Sequence, residues 1–293
     1  MRGPCRARLA PGEAKAVTPL LGALKDAHVW LQLPGGERVA PWGETPKRNF
    51  DYRWVASKLR GVVQIGRIGF VGHTSEGFGY VAIGTLQGDP KLFAQLRAQV
   101  AELREAPGIL IDLRGNAGGD ERYAQAIASL LCDERHPYAK SRVRAGKSPL
   151  SLSAPRTRYI QPAPKDSYRK PIVCLTGPVC MSSGEGFVAM FRAMPHATLV
   201  GQPTRGASGN PKRIPLPNGV DVSFSTWINM APDGEVLEGK GIAPDVVVEH
   251  EGEGDPTFSK ALALLSEKVE AAQKAAEEAE AGKGKPQRKD QRH

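Results

Sequence analysis

Two apolar runs, GILIDL (108–113) and PIVCLTG (171–177), constrain this chain more than any other feature. Each has the length of a strand and no polar alternation, the pattern of a strand buried on both faces. Each ends in a glycine-containing turn that feeds a helical pattern: RGNAGG leads to ERYAQAIASLLC (121–132), and CMSSGEGF leads to SGEGFVAMFRAM (183–194). GYVAIGTL (79–86) and ATLVG (197–201) read as further strands. DPKLFAQLRAQVAELREA (89–106) reads as an amphipathic helix with Asp89 as N-cap and Pro90 at the first helical position. Strand-helix-strand alternation of this kind predicts an α/β core with parallel strands.

The flanks read differently. AVTPLLGALKDAHVWLQL predicts a short helix running into a strand, and residues 33–60 a loop or small irregular β region. Residues 133–168 are polar and broken by Pro and Ser, which predicts an exposed excursion that could serve as a lid or substrate rim. Pro-Asn-Gly at 217–219 marks a hairpin between two strand runs. From Pro256 a helix decays into Ala/Glu/Lys low complexity and a basic tail expected to be disordered. The organisation expected is a linker (1–16), a helix with a short β/loop region (17–65), a core (66–251), and a C-terminal helix with its tail (252–293).

Composition excludes several classes. The net charge of +9 resides largely in the two ends, and no basic stripe with interleaved aromatics supports nucleic-acid binding. No run approaches the roughly 20 apolar residues of a membrane span. The four cysteines show neither CxxC nor zinc spacing; Cys174 and Cys180 read as buried thiols rather than a disulfide. No metal or nucleotide cofactor is expected. The first residues carry no secretory signal, so the chain as written reads as cytoplasmic, or as exported if a segment precedes it.

Chemistry concentrates at two strand ends, where open α/β sheets form their sites. DLRGNAGGD (112–120) has paired glycines that let amides approach a ligand, although a tight turn alone would also explain them. In CMSSGEGF, a serine between a buried strand and a helix stands at the positive end of the helix dipole, where the next amide can face an oxyanion. The same position suits a plain N-cap.

Taken in order, GILIDLRGNAGG, PIVCLTGPVCMSSGEGFVAMF, ATLVGQPTRGASGNP and EVLEGKGIAPDVVVE, preceded by LLGALKDAHVWL, resemble the tail-specific (C-terminal processing) serine peptidases over roughly residues 15–250. The resemblance implies a crotonase/Clp-like core of stacked β-turn-α units, a polypeptide substrate, and Ser182 as nucleophile. It implies Ser183 and Gly118 or Gly119 as backbone oxyanion donors, and Glu185 as a structural residue. The Ser-Lys branch places its lysine in Gly-Lys-Gly; here Gly206-Ala207-Ser208 stands instead, and Lys212 and Lys240 are out of register. The sequence is therefore similar to the tricorn-core-like branch, which implies His28 as base and Glu238 as its orienting acid. His73 is the alternative base and Asp26 an alternative partner for the imidazole. Gln32–Ile65 is too short for the PDZ domain many relatives carry. A binding protein on the same fold, without catalysis, is the alternative function.

Overall fold

The computed structural model describes residues 11–148, 150–163 and 168–283 of the 293-residue chain. Along the chain, α1 (Pro11–Gly22) leads to β1 (Trp30–Gln32) and β2 (Arg38–Val39). Helix α1 begins inside the segment read as linker. The short helix α2 (Tyr52–Ser57) follows; the Asp51 carboxylate caps it by accepting from the N–H groups of Arg53 and Trp54. Strands β3 (Arg60–Ile65), β4 (Gly69–His73) and β5 (Gly79–Ile83) form a meander. Helix α3 (Pro90–Glu102) starts as expected, with the Asp89 carboxylate accepting from the Lys91 N–H at 2.9 Å.

Strand β6 (Ile109–Asp112) then feeds α4 (Glu121–Ala128). Strands β7 (His136–Val143) and β8 (Arg156–Ile160) occupy the stretch expected to be an exposed excursion. Next come β9 (Ile172–Thr176), α5 (Ser183–Arg192) and β10 (Ala197–Gly201). Strands β11 (Lys212–Pro215) and β12 (Asp221–Phe224) flank the predicted Pro-Asn-Gly turn and are followed by β13 (Trp227–Met230) and β14 (Val246–Val247). The last described element is α6 (Pro256–Lys283); the basic tail lies outside the described residues.

The seven-stranded central sheet runs β14-β10-β9-β6-β5-β4-β3. It is parallel from β14 to β5 and antiparallel at β4 and β3. Its two faces explain the unbroken apolar runs. Ile109 and Ile111 of β6 join Phe93, Leu96, Ile127 and Phe187 from α3, α4 and α5 on one face. Leu110, one residue out of phase, joins Val173, Leu175, Phe258 and Leu265 beneath α6 on the other. Side chains alternate across a strand, so covering both faces requires apolar residues at every position. Each such side chain contributes about 1.5–3 kcal/mol on full burial. The chain has the layered β-turn-α core expected of the crotonase-like class.

Two smaller sheets lie beside this core: β11-β12-β1-β2, and β13-β7-β8. The second corrects the reading of 133–168 as exposed. Tyr138, Ala139 and Ile160 are buried against the core, and polar residues between them hide the strand pattern in the sequence. Cys174 and Cys180 are buried free thiols, as expected, and so is Cys132; Cys5 lies outside the described residues.

Candidate active site

The turns after β6 and β9 lie side by side because their strands pair in parallel, Asp112 opposite Leu175. Asn116, fully buried, ties the turns together. Its side-chain amide donates to the Ile83 carbonyl at 3.1 Å, its Oδ1 accepts from the Gly118 N–H at 2.9 Å, and its carbonyl accepts from the Met181 N–H at 3.0 Å. The turns also fit only because they are glycine-rich. A Cβ on Gly118 would stand 2.7 Å from the Ser182 Cβ, and one on Gly184 would stand 2.7 Å from the Asn116 carbonyl oxygen.

Ser182 has φ 57° and ψ −130°. This is a conformation that non-glycine residues avoid, at a cost of about 1–3 kcal/mol, and it is the backbone of a sharp strand-to-helix elbow. Its N–H donates to the Ala207 carbonyl at 2.6 Å, which helps to hold the turn. Among the described residues its hydroxyl has no hydrogen-bond partner and caps no amide, so Ser182 occupies the N-cap position without N-cap chemistry. Ser183 differs: its hydroxyl donates to the Gly119 carbonyl at 2.6 Å. Among the described residues, the N–H groups of Gly119 and Ser183 donate to nothing, whereas that of Gly118 is committed to Asn116.

Ser182, Ser183, Gly119 and His28 line one cleft of about 1040 Å³. His28 is only 5% exposed. Burial lowers its pKa from the ordinary 6.5; Asp26 opposes that shift, and Arg38 and Arg205 reinforce it. Its Nδ1 accepts a long 3.4 Å bond from the Gly209 N–H. The Asp26 carboxylate accepts from the backbone N–H of His28 at 2.7 Å and so bends the local chain; the ring Nδ1 stands 3.9 Å away. His73 is exposed at the end of β4 and does not line the cleft.

Glu238 comes to His28 from the far end of the chain. Donor atoms of Asp26, His28 and Glu238 lie within 4.8 Å of one another. The Glu238 Oε2 accepts from the Ser208 N–H at 3.0 Å, while its Oε1 is buried without a partner among the described residues. Burial raises its pKa to about 7; the Ser208 amide opposes this, and the charges of Asp26 and Glu185 add to it. Such a trio has the spacing of a metal-ligand set, as do Cys132, Asp133 and His136 at the opposite end of the sheet.

Glu185, fully buried, is an organiser of the loop around the serine. Its carboxylate accepts from the hydroxyls of Thr204 and Ser208 and from the N–H groups of Gly206 and Ala207. Gly206-Ala207-Ser208, where a lysine was sought in the sequence, is thus the backbone that anchors both Ser182 and Glu238.

Sequence reasoning missed several cleft residues. Arg158, on β8, donates to both oxygens of Glu121 at 2.6 Å and to Asn229, and lies 4.8 Å from the Trp227 ring. Trp30, Arg38 and Arg213 come from the four-stranded sheet. None of these carries a local motif.

An elbow serine with a free hydroxyl, two unpaired amides and a buried histidine around one cleft of an α/β core is the layout of the serine acyl-transfer class. Residues 77–248, more than half of the chain, match the model of Peptidase family S41, and the chain belongs to that family. It is 24% identical over 173 residues to the carboxy-terminal processing protease CtpB of Bacillus subtilis, covering 58% of this chain and 34% of that protein. It is 27% identical over 167 residues to the tricorn protease of Thermoplasma volcanium, covering 54% and 14%. The chain thus spans about a third or less of these curated relatives. Among solved structures, a candidate peptidase from Parabacteroides merdae superposes with a TM-score of 0.76 at 26% identity, covering 88% of this chain and 84% of that one.

Proposed function

We propose that this chain is a serine peptidase acting through Ser182, His28 and Glu238, with the amides of Gly119 and Ser183 as the oxyanion hole. The observation that carries the reading is Ser182 itself: a strained elbow residue with a free hydroxyl beside two unpaired amides. Strain of this kind persists where the surroundings over-determine it, and it clusters at reactive positions. Gly118 drops out as a donor because its N–H is committed to Asn116. His73 drops out as a base because it does not line the cleft.

In this mechanism the Ser182 Oγ attacks a peptide carbonyl carbon while His28 takes the hydroxyl proton. The two amides receive the developing oxyanion. The C–N bond then breaks, and His28 returns the proton to the leaving amine. Water, deprotonated by His28, displaces the acyl group and regenerates the serine. Burial suits His28 to this work because it keeps the imidazole neutral at neutral pH. Glu238, once ionised, offers its unpartnered Oε1 to the Nδ1–H of His28, in place of the long contact from Gly209. Formation of these bonds requires side-chain adjustment, as is common before substrate binds. The names of the curated relatives, which are processing and tricorn proteases, support a polypeptide as the substrate.

Labelling with a fluorophosphonate, read by intact mass and peptide mapping, tests the assignment. One adduct on Ser182, lost in Ser182→Ala and strongly slowed in His28→Ala, is the expected result. Folded protein that takes no label would overturn the reading and favour a non-catalytic binding protein.

A further inference from the structure

The cleft holds more positive charge than its own carboxylates neutralise. Of its four arginines, Arg122 is paired with Asp120 and Arg158 with Glu121, both at 2.6 Å. Among the described residues, Arg38 and Arg213 have no carboxylate partner. Both guanidiniums instead lie over the indole of Trp30, with their central carbons 4.3 and 4.4 Å from the ring centroid. Two like charges on one ring repel each other, and cation–π attraction and water must offset that repulsion. Arg213 and Arg205 accordingly lower the pKa of Arg38, after burial.

The sheet builds this arrangement deliberately. Trp30 pairs with Ser223 across β1 and β12, and Ser223 pairs with Arg213 across β12 and β11. Residues in register on adjacent strands share a face, so Arg213, Ser223 and Trp30 form one row. Trp30 is 5% exposed and Ser223 is fully buried, so the row has a rigid floor. Among the described residues, the Ser223 hydroxyl has no hydrogen-bond partner although it is buried and lines the cleft. An orphan buried hydroxyl between a tryptophan and an arginine is a donor without an acceptor.

We propose that Arg38, Arg213 and Ser223, floored by Trp30, form a subsite that recognises a carboxylate of the peptide substrate, making the enzyme selective for acidic peptides. Two guanidiniums and a hydroxyl match the acceptor oxygens of one carboxylate, and its charge removes the repulsion between the arginines. The proposal rests on the peptidase reading for the word substrate, but the site itself is a binding site and can be tested without turnover.

The test uses the full chain carrying Ser182→Ala and two randomised peptide pools of equal length, one containing Asp and Glu and the other Asn and Gln in their place. Binding of each pool is measured at low salt, with C-termini free or amidated. The acidic pool is expected to bind about tenfold more tightly than the neutral one, with the ratio falling towards one when Arg38→Gln and Arg213→Gln are added. A preference for the acidic pool that survives amidation assigns the carboxylate to a side chain; equal weakening of both pools on amidation assigns it to the peptide terminus. Arg213→Glu should shift the preference towards Lys-containing peptides, a gain that misfolding cannot mimic. Equal binding of the two pools by the parent chain, unchanged by amidation, would overturn the subsite. Failure of fluorophosphonate labelling would overturn the peptidase reading alone.

Discussion

Arg114 and Arg213 show how one side chain serves two ends in this molecule. Arg114 is fully buried beneath the RGNAGG turn, where it pairs with Asp112 at 2.5 Å and Asp255 at 2.7 Å and donates to the Asn49 carbonyl at 2.7 Å. The Tyr80 hydroxyl donates to Asp112, and Asp255 caps the start of α6 by accepting from the Phe258 N–H. This cluster joins the sheet, the segment before α2 and the C-terminal helix, and it is closed to solvent. Arg213 and Arg38 are exposed in the cleft, stacked on a ring and without a carboxylate partner among the described residues. The difference teaches that a saturated charge holds the fold, whereas an unsaturated charge beside a cleft is available to a ligand.

The largest effect that would break this comparison is at Arg114. Arg114→Met leaves Asp112 and Asp255 buried without their cation, and is expected to cost about 3–5 kcal/mol in urea unfolding. Arg38→Gln, by contrast, should stay within about 0.5 kcal/mol of the parent, as an exposed substitution does. Comparable losses at the two positions would erase the distinction.

An intermediate effect should appear at the elbow. Ser182→Gly relieves the strained backbone, at some cost in unfolded-chain entropy, and should raise stability by about 1 kcal/mol while abolishing fluorophosphonate labelling. A destabilised Ser182→Gly variant would mean that the serine side chain supports the turn.

The smallest effect sharpens the contrast through pH. The Glu238 carboxyl sits at about 7 rather than 4.5, so the folded chain holds that proton more tightly than the unfolded one. Its stabilising contribution is complete below pH 4.5 and lost as pH climbs through 7. Glu238→Gln should therefore melt higher than the parent near pH 8 and about level with it near pH 4. If cleavage needs ionised Glu238, this variant should also lose most of its kcat/KM at every pH, and the acid limb of the residual activity should follow the depressed pKa of His28. Parallel melting curves at both pH values would mean that the half-buried Glu238 carboxyl is not held protonated by its surroundings.

Much of the core was legible because its signals are local. The runs GILIDL and PIVCLTG carry burial on both faces in their composition, and Asp89-Pro90 carries a helix start. Candidate site residues were named from motifs: Ser182, His28, Glu238 and the RGNAGG turn. The fold lines one cleft with Ser182, His28 and part of the RGNAGG turn, and sets Glu238 beside His28. Which of the Gly118 and Gly119 amides is left unpaired among the described residues was not legible, because it depends on where the Asn116 Oδ1 lies. Nor were β7 and β8, because a strand half covered by a neighbouring layer shows burial in only some of its residues.

By itself, then, the sequence determined the strand-turn-helix units and the residue types at their ends, since these follow from backbone propensity and short-range pattern. Only the tertiary structure decided which charges are paired and which remain free. Gly209 reaches His28 across 181 residues, and Arg213 meets Trp30 only because β12 pairs with both of their strands. Partnership at that range depends on chain folding and on competition for acceptors, and neither is written in any local stretch.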